Sequence, residues 1–427
     1  MVSTYHDAAA AQTSSLADRY KTRIGRATII ARSGKARQPG IRHWEVGVGT
    51  AVGRLQARLQ DLADTRVAEG DEVGLQIAVF HRGMLVADVT AGLADPASGR
   101  RVDGDTLFFA ASTAKAIAST VAHVLIDRGV LHDDDRLADW WAAFAAHGKD
   151  VVTVGHVLTH TAGVPAVPAD TTVDDLRDWD HMTAALAAAE PWWEPGTCFG
   201  YHAVTFGYLL GEHIRRRTGQ TIAAALREHV TRPLGVADDV HFAVPEDALG
   251  RVATQVPAAT SPPSPAPGSA ADRALPTAIR PDATYANRRD VLTAPDPSSG
   301  TMTARGAATV LAALLDDGAG TGLVSRQRLR QLAAITFTGH DEVMDMDATW
   351  AYGYAPTRPG HDGGRPGSTF GMVGMNGSVA YADIETGVAA AVMRNRFDPT
   401  DLTTAAAADD LIADACRSDD TPRVSDH

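Results

Sequence analysis

Ser112-Thr113-Ala114-Lys115 sets a hydroxyl and an amine one helical turn apart at the start of an apolar periodic stretch. Downstream, Ile117, Val121, Val124 and Leu125 recur at helical steps, and Arg128-Gly129 supplies a basic last turn and a stop. Ser112 and Lys115 therefore share one side of a first turn. A helix N-terminus carries unpaired N–H groups and partial positive charge, which favours an alkoxide or oxyanion there. A neighbouring amine takes the serine proton if burial or other cations lower its pKa. Alone, the pattern also describes an N-cap serine followed by a solvated lysine.

A second candidate lies in Glu194-Pro195-Gly196-Thr197-Cys198-Phe199-Gly200-Tyr201-His202-Ala203, a turn running into the helix that carries Phe206, Leu209 and Leu210. Tyr201 falls where loop meets helix, a place from which side chains project into clefts. A phenol close to an ammonium has its ionised form favoured and serves as a general base; the plain alternative is a packed tyrosine. A third is the glycine-rich run Ser368 to Ser378, whose glycines let another backbone or a ligand approach, and from which a backbone N–H would supply an oxyanion donor. Trp192, Trp193, Trp350, Tyr352 and Tyr354 are divided between cleft and core. His132-Asp133-Asp134-Asp135 and His340-Asp341-Glu342 through Asp347 read as solvated caps rather than a metal site.

These residues need a frame. Val52, Leu55, Leu59, Leu62 and Val67 share one helix face, and Gly74 to Phe80 and Met84 to Val89 form a hairpin across His81-Arg82-Gly83. From about Asp133 to Gly250 the pattern is helical: Leu137 to Ala146, Val152 to Thr159, Val173 to Ala189, Val204 to Thr218 and Ile222 to Val230. Residues 257 to 276 are a Pro-, Ala- and Ser-rich loop, and a helix spans Ala304 to Asp317. Strands Gly377 to Ala382 and Val388 to Arg394 and a closing helix Leu402 to Ala415 end the chain. The expectation is an α+β fold: an antiparallel sheet built from both chain termini and flanked by helices, with a mostly helical subdomain inserted at about 133–300. The catalytic domain spans 49–427, and residues 1–48 are an extension without periodicity.

A net charge of −13 argues against a nucleic-acid or anionic-membrane partner. Arg215-Arg216-Arg217 belongs to a helix C-terminus, where cations favour the dipole. Cys198 and Cys416 are expected as free thiols. Met1 to Ala11 lacks the basic-then-apolar order of a secretory signal and no apolar run spans a bilayer, so a cytoplasmic protein is expected.

Ser112-x-x-Lys115, Tyr201 in Phe-Gly-Tyr-His-Ala-Val-Thr-Phe-Gly-Tyr-Leu-Leu-Gly-Glu, and the glycine-rich run before Ala380-Tyr381-Ala382-Asp383 together resemble the class C beta-lactamase and penicillin-binding-protein superfamily. Leu158-Thr159-His160-Thr161-Ala162-Gly163-Val164-Pro165 and Val392-Met393-Arg394-Asn395-Arg396 match its framing segments. The branch resembled is that of family VIII carboxylesterases. The resemblance implies that Ser112 is acylated, Lys115 and Tyr201 shuttle its proton, and the N–H groups of Ser112 and Met375 hold the oxyanion. Met372, Gly374 and Trp350 would contact substrate. No cofactor and no metal are implied.

Two departures stand out. Ala203 occupies a common Asn place, and Met372-Val373-Gly374 replaces Lys-Thr-Gly or His-x-Gly. His361-Asp362-Gly363-Gly364 precedes the strand entrance and reads as loop. The expected activity is a serine hydrolase acting on a small ester, amide or activated acyl substrate. An acyltransferase sharing the acyl-Ser112 step is the alternative, and a non-catalytic binding protein is the third reading.

Overall fold

The computed structural model describes residues 51–259, 264–315, 322–360 and 365–420. The extension 1–48 and the segment His361 to Gly364 lie outside the described residues. The main sheet has six strands, in spatial order β6-β7-β8-β1-β2-β3. These are β1 (Gly74–His81), β2 (Met84–Asp95), β3 (Arg100–Arg101), β6 (Thr369–Val373), β7 (Val379–Asp383) and β8 (Val388–Arg394). All pairings are antiparallel, and β1 from one end of the chain joins β8 from the other, with Ile77 opposite Val392. The expectation of a sheet completed by both termini holds.

Sequence explains which strands are central. β1 and β8 are buried at every residue, as apolar runs covered on both faces must be. Their side chains alternate between two cores with the period of a strand. Leu75, Ile77, Val79, Val388, Ala390 and Val392 face one core, which α1 (Ala51–Glu69) covers with Leu55, Leu59 and Ala63. The closing helix, here Thr403–Asp420, adds Ala408, Ile412 and Ala415 to that layer. Ala78, Phe80, Ala389, Ala391 and Met393 face the second core, shared with α2 (Thr113–Asp127) and the helical region.

Several helical expectations shorten for local reasons. Leu137 to Ala146 divides into Leu137–Trp140 and a kinked 3-10 segment, Ala142–Val151, broken at His147 and Gly148, both at positive φ. That break turns Lys149 inward, where its ammonium donates to the carbonyl of Ala146 at 2.9 Å and to that of Ala189. Val173 to Ala189 breaks at Asp178, which caps Trp179–Ala188 by accepting from the N–H of His181 at 2.9 Å. Ile222 to Val230 becomes Ile222–Leu226 followed by a π turn, and Ala304 to Asp317 stops at Ala312. The 257 to 276 loop contains a short helix, Ala270–Ala274. Val204 to Thr218 forms α3 (Thr205–Thr218), with Gly219 in the left-handed cap.

One element departs from the sequence pattern. β4 (Ile335–Asp341) and β5 (Met346–Ala351) pair as a separate hairpin. Most of β4 is exposed or half-exposed, so its Thr, Gly and His residues carry little of the apolar alternation that marks a strand. No helix among the described residues is long and apolar enough to cross a membrane.

Candidate active site

The short strand Phe108–Phe109 pairs with Thr301–Met302 and ends in Ala111, a non-glycine residue at φ 45°. That left-handed turn delivers Ser112, half-buried, to the N-terminus of α2. The side chain of Ser112 makes no capping bond to its own helix, which removes the plain N-cap reading. Instead, Lys115 Nζ lies 3.1 Å from Ser112 Oγ and donates to the carbonyl of Ser298 at 3.1 Å. Lys115 is 1% exposed. Burial drives its ammonium down to about 7, against the opposing charge of Asp296, so a large fraction is free amine at neutral pH.

Tyr201 stands beside this pair, its ring centroid 5.2 Å from Lys115 Nζ. Its hydroxyl is buried without a partner in hydrogen-bond geometry among the described residues. The sequence-based expectation of a favoured phenolate is corrected here. Burial raises the Tyr201 hydroxyl well above its usual range, and the nearby Ser112 hydroxyl offsets only part of that. The neighbour meant to hold a phenolate is itself partly neutral. The arrangement thus offers an amine as base and a protonated phenol as proton donor.

The Tyr201 loop is held from three sides. Asp341, at the end of β4, accepts from the N–H groups of Tyr201 at 3.1 Å, Val343 at 2.9 Å and Met344 at 3.0 Å. It is 3% exposed, so the reading of the 340–347 acids as solvated caps fails at this residue. His160, at φ 55°, accepts from the N–H of His202 at Nδ1 at 3.1 Å, which leaves the proton on Nε2. Burial keeps the His160 imidazole neutral, and it packs 5.0 Å from the Tyr201 ring and 4.6 Å from Trp350. Trp193 closes over Gly200, where a Cβ would lie 2.4 Å from its ring.

Trp350 forms the wall behind Tyr201, 6.0 Å between rings. It is 6% exposed and its indole N–H donates to the carbonyl of Leu158 at 3.1 Å. Tyr354 sits deeper, its hydroxyl 3.0 Å from that of Thr120, and the half-buried Tyr352 donates to Asp133 at 2.9 Å. Asp133 is no plain cap: Arg328 grips it through two bonds of 2.7 Å. Asp135 accepts the His132 N–H as expected of a cap. Arg215 and Arg216 both bond Glu212 within α3. Cys198 and Cys416 are not joined in a disulfide.

On the opposite side, β6 runs out at Gly374 against the serine turn. A Cβ on Gly374 would lie 2.2 Å from the carbonyl oxygen of Ala110 and 2.9 Å from Thr113 Oγ1, so only glycine permits this approach. Thr113 Oγ1 donates to the carbonyl of Ser378 at 3.1 Å, and Asn376 to that of Phe109 at 2.6 Å, fixing the turn beside Ser112. The Gly374 N–H is taken up by the Ser378 carbonyl at 2.7 Å. Among the described residues, the N–H groups of Ser112 and Met375 have no acceptor. Met372, 7% exposed and opposite Ala380, offers a thioether where the resemblance expects a polar donor.

The structure therefore brings Ser112, Lys115 and Tyr201 together, with Gly374 and Met375 at the serine turn. Asp341, Asn376, Ser298 and Asp296 escape a sequence reading because each acts through a backbone bond or through burial. The chain belongs to the beta-lactamase family: the family described as Beta-lactamase matches residues 59–414. It is 32% identical over 355 residues to the esterase/beta-lactamase LipL of Mycobacterium tuberculosis, a match covering 76% of this chain and 77% of that protein. Esterase EstB of Burkholderia gladioli is 33% identical over 201 residues, 43% of this chain and 51% of its own. Among solved structures, a family VIII carboxylesterase superposes with a TM-score of 0.76 at 30% identity, covering 84% of this chain and 97% of the other. A penicillin-binding-protein homologue from Caulobacter crescentus gives the same TM-score, identity and coverage.

Proposed function

We propose that this chain is a serine hydrolase that forms an acyl-enzyme on Ser112 and cleaves a small ester. The observation that carries the reading is the buried Lys115 amine 3.1 Å from Ser112 Oγ, poised near neutrality. In acylation the free amine takes the Ser112 proton as Oγ attacks the ester carbonyl carbon. The carbonyl oxygen becomes an oxyanion facing the N–H groups of Ser112 and Met375. Collapse breaks the bond to the leaving alkoxide, which takes a proton from the Tyr201 hydroxyl, and the Lys115 ammonium returns a proton to Tyr201. Water then repeats the sequence on the acyl carbonyl and frees Ser112.

The names of EstB and of the carboxylesterase neighbour support ester chemistry, while LipL is named as both esterase and beta-lactamase. The buried Met372 supports an uncharged acyl group, because a thioether gives no ion pair to a substrate carboxylate. It also favours a second reading, transfer of the acyl group to an alcohol or amine in a cleft where water competes poorly. Intact-mass detection of an acyl adduct on incubation with aryl and alkyl esters tests the first step. The adduct should be absent in Ser112→Ala, and turnover unchanged in that variant would end the reading. Adding an alcohol or amine acceptor separates hydrolysis from transfer by product.

A further inference from the structure

The loop from Pro295 to Gly300, which leads into the Thr301–Met302 strand, holds a buried serine whose every polar group is used. The N–H of Ser298 donates to Asp296 Oδ1 at 2.8 Å. Its carbonyl accepts from Lys115 Nζ at 3.1 Å. Its hydroxyl donates to the carbonyl of Val204 at 2.6 Å and accepts from the N–H of Gly207 at 2.9 Å, which ties the loop to the first turn of α3, just after Tyr201. α3 comes this close only because residue 207 is glycine: a Cβ there would lie 2.5 Å from Ser298 Oγ and 2.7 Å from its nitrogen. One residue thus joins the amine, the Tyr201 segment and a carboxylate that is 7% exposed. Burying a carboxylate is costly unless it is paired or hydrogen-bonded, and here the hydrogen bonds come from Ser298 and Ser299 of the same loop.

We propose that Asp296 is a positioning residue for the reaction: through Ser298 it aims the Lys115 amine at Ser112, and its negative charge acts on that amine from within the same buried loop. This rests on the reading of Lys115 as the base in acylation. Asp296 acts on the Lys115 ammonium by charge and favours the protonated form against burial. The Lys115 charge in turn is the cation that opposes the rise of the Asp296 carboxyl on burial. The other titratable groups facing this pair are Tyr201 and His160 on the Lys115 side and Tyr208 and Tyr285 on the Asp296 side. Burial holds the three phenols protonated and the imidazole neutral through the working range, so none of them screens the pair.

The test is the pH profile of kcat/KM on a neutral aryl ester for wild type, Asp296→Asn and Asp296→Glu. The asparagine amide oxygen can still accept the Ser298 N–H, so the turn persists while the charge goes. With the charge gone the Lys115 ammonium loses its proton more easily, and the acidic limb should move to lower pH by about half a pH unit or more. Asp296→Glu keeps the charge and crowds the turn, so kcat should fall several-fold with the limb near its wild-type position. An Asp296→Asn limb that stays in place, or a uniform loss in both variants without a displaced limb, overturns the proposal. A wild-type profile with no limb near neutrality would instead refute Lys115 as the base. If Asp296→Asn does not fold, the glutamate variant still decides: a limb displaced as far as kcat falls contradicts a role for the charge.

Discussion

Lys115→Met should make this protein more stable at neutral pH while removing its activity. Lys115 is fully buried, and its folded-state pKa of about 7 lies below the ordinary lysine value of 10.5. The folded state therefore binds fewer protons than the unfolded chain between those two pH values, and stability rises with pH across that window. Below about 7 the whole penalty is present; above about 10.5 it is gone. A tenfold change in proton affinity corresponds to about 1.36 kcal/mol, so the penalty at pH 7 is on the order of 4 kcal/mol. Methionine fills similar space without a charge. It also leaves the Ser298 carbonyl without its donor and Asp296 without its cation, each costing about 1–2 kcal/mol. The net expectation is a gain of roughly 0–2 kcal/mol at pH 7. Urea denaturation at pH 6, 7.5 and 9 measures it, together with turnover of an aryl ester. Wild type should gain stability from pH 7.5 to 9 and the variant should gain less. A variant no more stable than wild type at pH 7, with the same pH slope, would refute the argument that lysine is buried here at an energetic cost for the sake of catalysis.

Tyr201→Phe should lower the acylation rate by about two to four orders of magnitude, and combining it with Lys115→Ala should cost less than the product of the two single effects. Additive losses in stopped-flow acylation would show that the two do not share one proton path. Gly374→Ala should cut kcat/KM by at least about tenfold, since its Cβ would meet the Ala110 carbonyl at 2.2 Å and push β6 away from the serine turn; unchanged kinetics would mean that the turn yields freely. Asp341→Ala strands three backbone N–H groups and should cost about 3 kcal/mol in urea denaturation along with kcat, whereas Asp341→Asn, which keeps an acceptor, should lose less. Met372→His should raise turnover of carboxylate-bearing esters relative to neutral ones, and a selectivity left untouched would reduce Met372 to packing.

What can be read from the sequence follows from where each signal resides. The pairing of β1 with β8 is legible because both are apolar strands that must be buried, and Ser112-x-x-Lys115 because it sits at the start of a strongly periodic helix. Helix breaks at Asp178 and His147 are hidden because a cap or a left-handed turn is set by local hydrogen bonds that barely change periodicity. The β4–β5 hairpin is hidden because its solvent side carries no apolar pattern, and with it goes Asp341, whose role is to accept backbone N–H groups and so leaves no motif.

Tyr201 shows the sharpest limit. Residue types alone point to the correct neighbours and the wrong protonation, because a phenol beside an ammonium is favoured as phenolate only if the ammonium stays charged and the pair stays wet. Folding removes both conditions together: burial drives Lys115 towards free amine and Tyr201 towards neutral phenol. The same desolvation acts on acid and base in opposite directions and separates their roles. Asp296 is the charge among the described residues that works against this on the lysine side, and it lies 181 positions from Lys115 (296 − 115) in a loop with no motif of its own. On the proposed mechanism, the pH at which Lys115 can take the Ser112 proton is therefore a property of the folded core: burial lowers the amine, and a carboxylate that only the fold brings to the site opposes that fall.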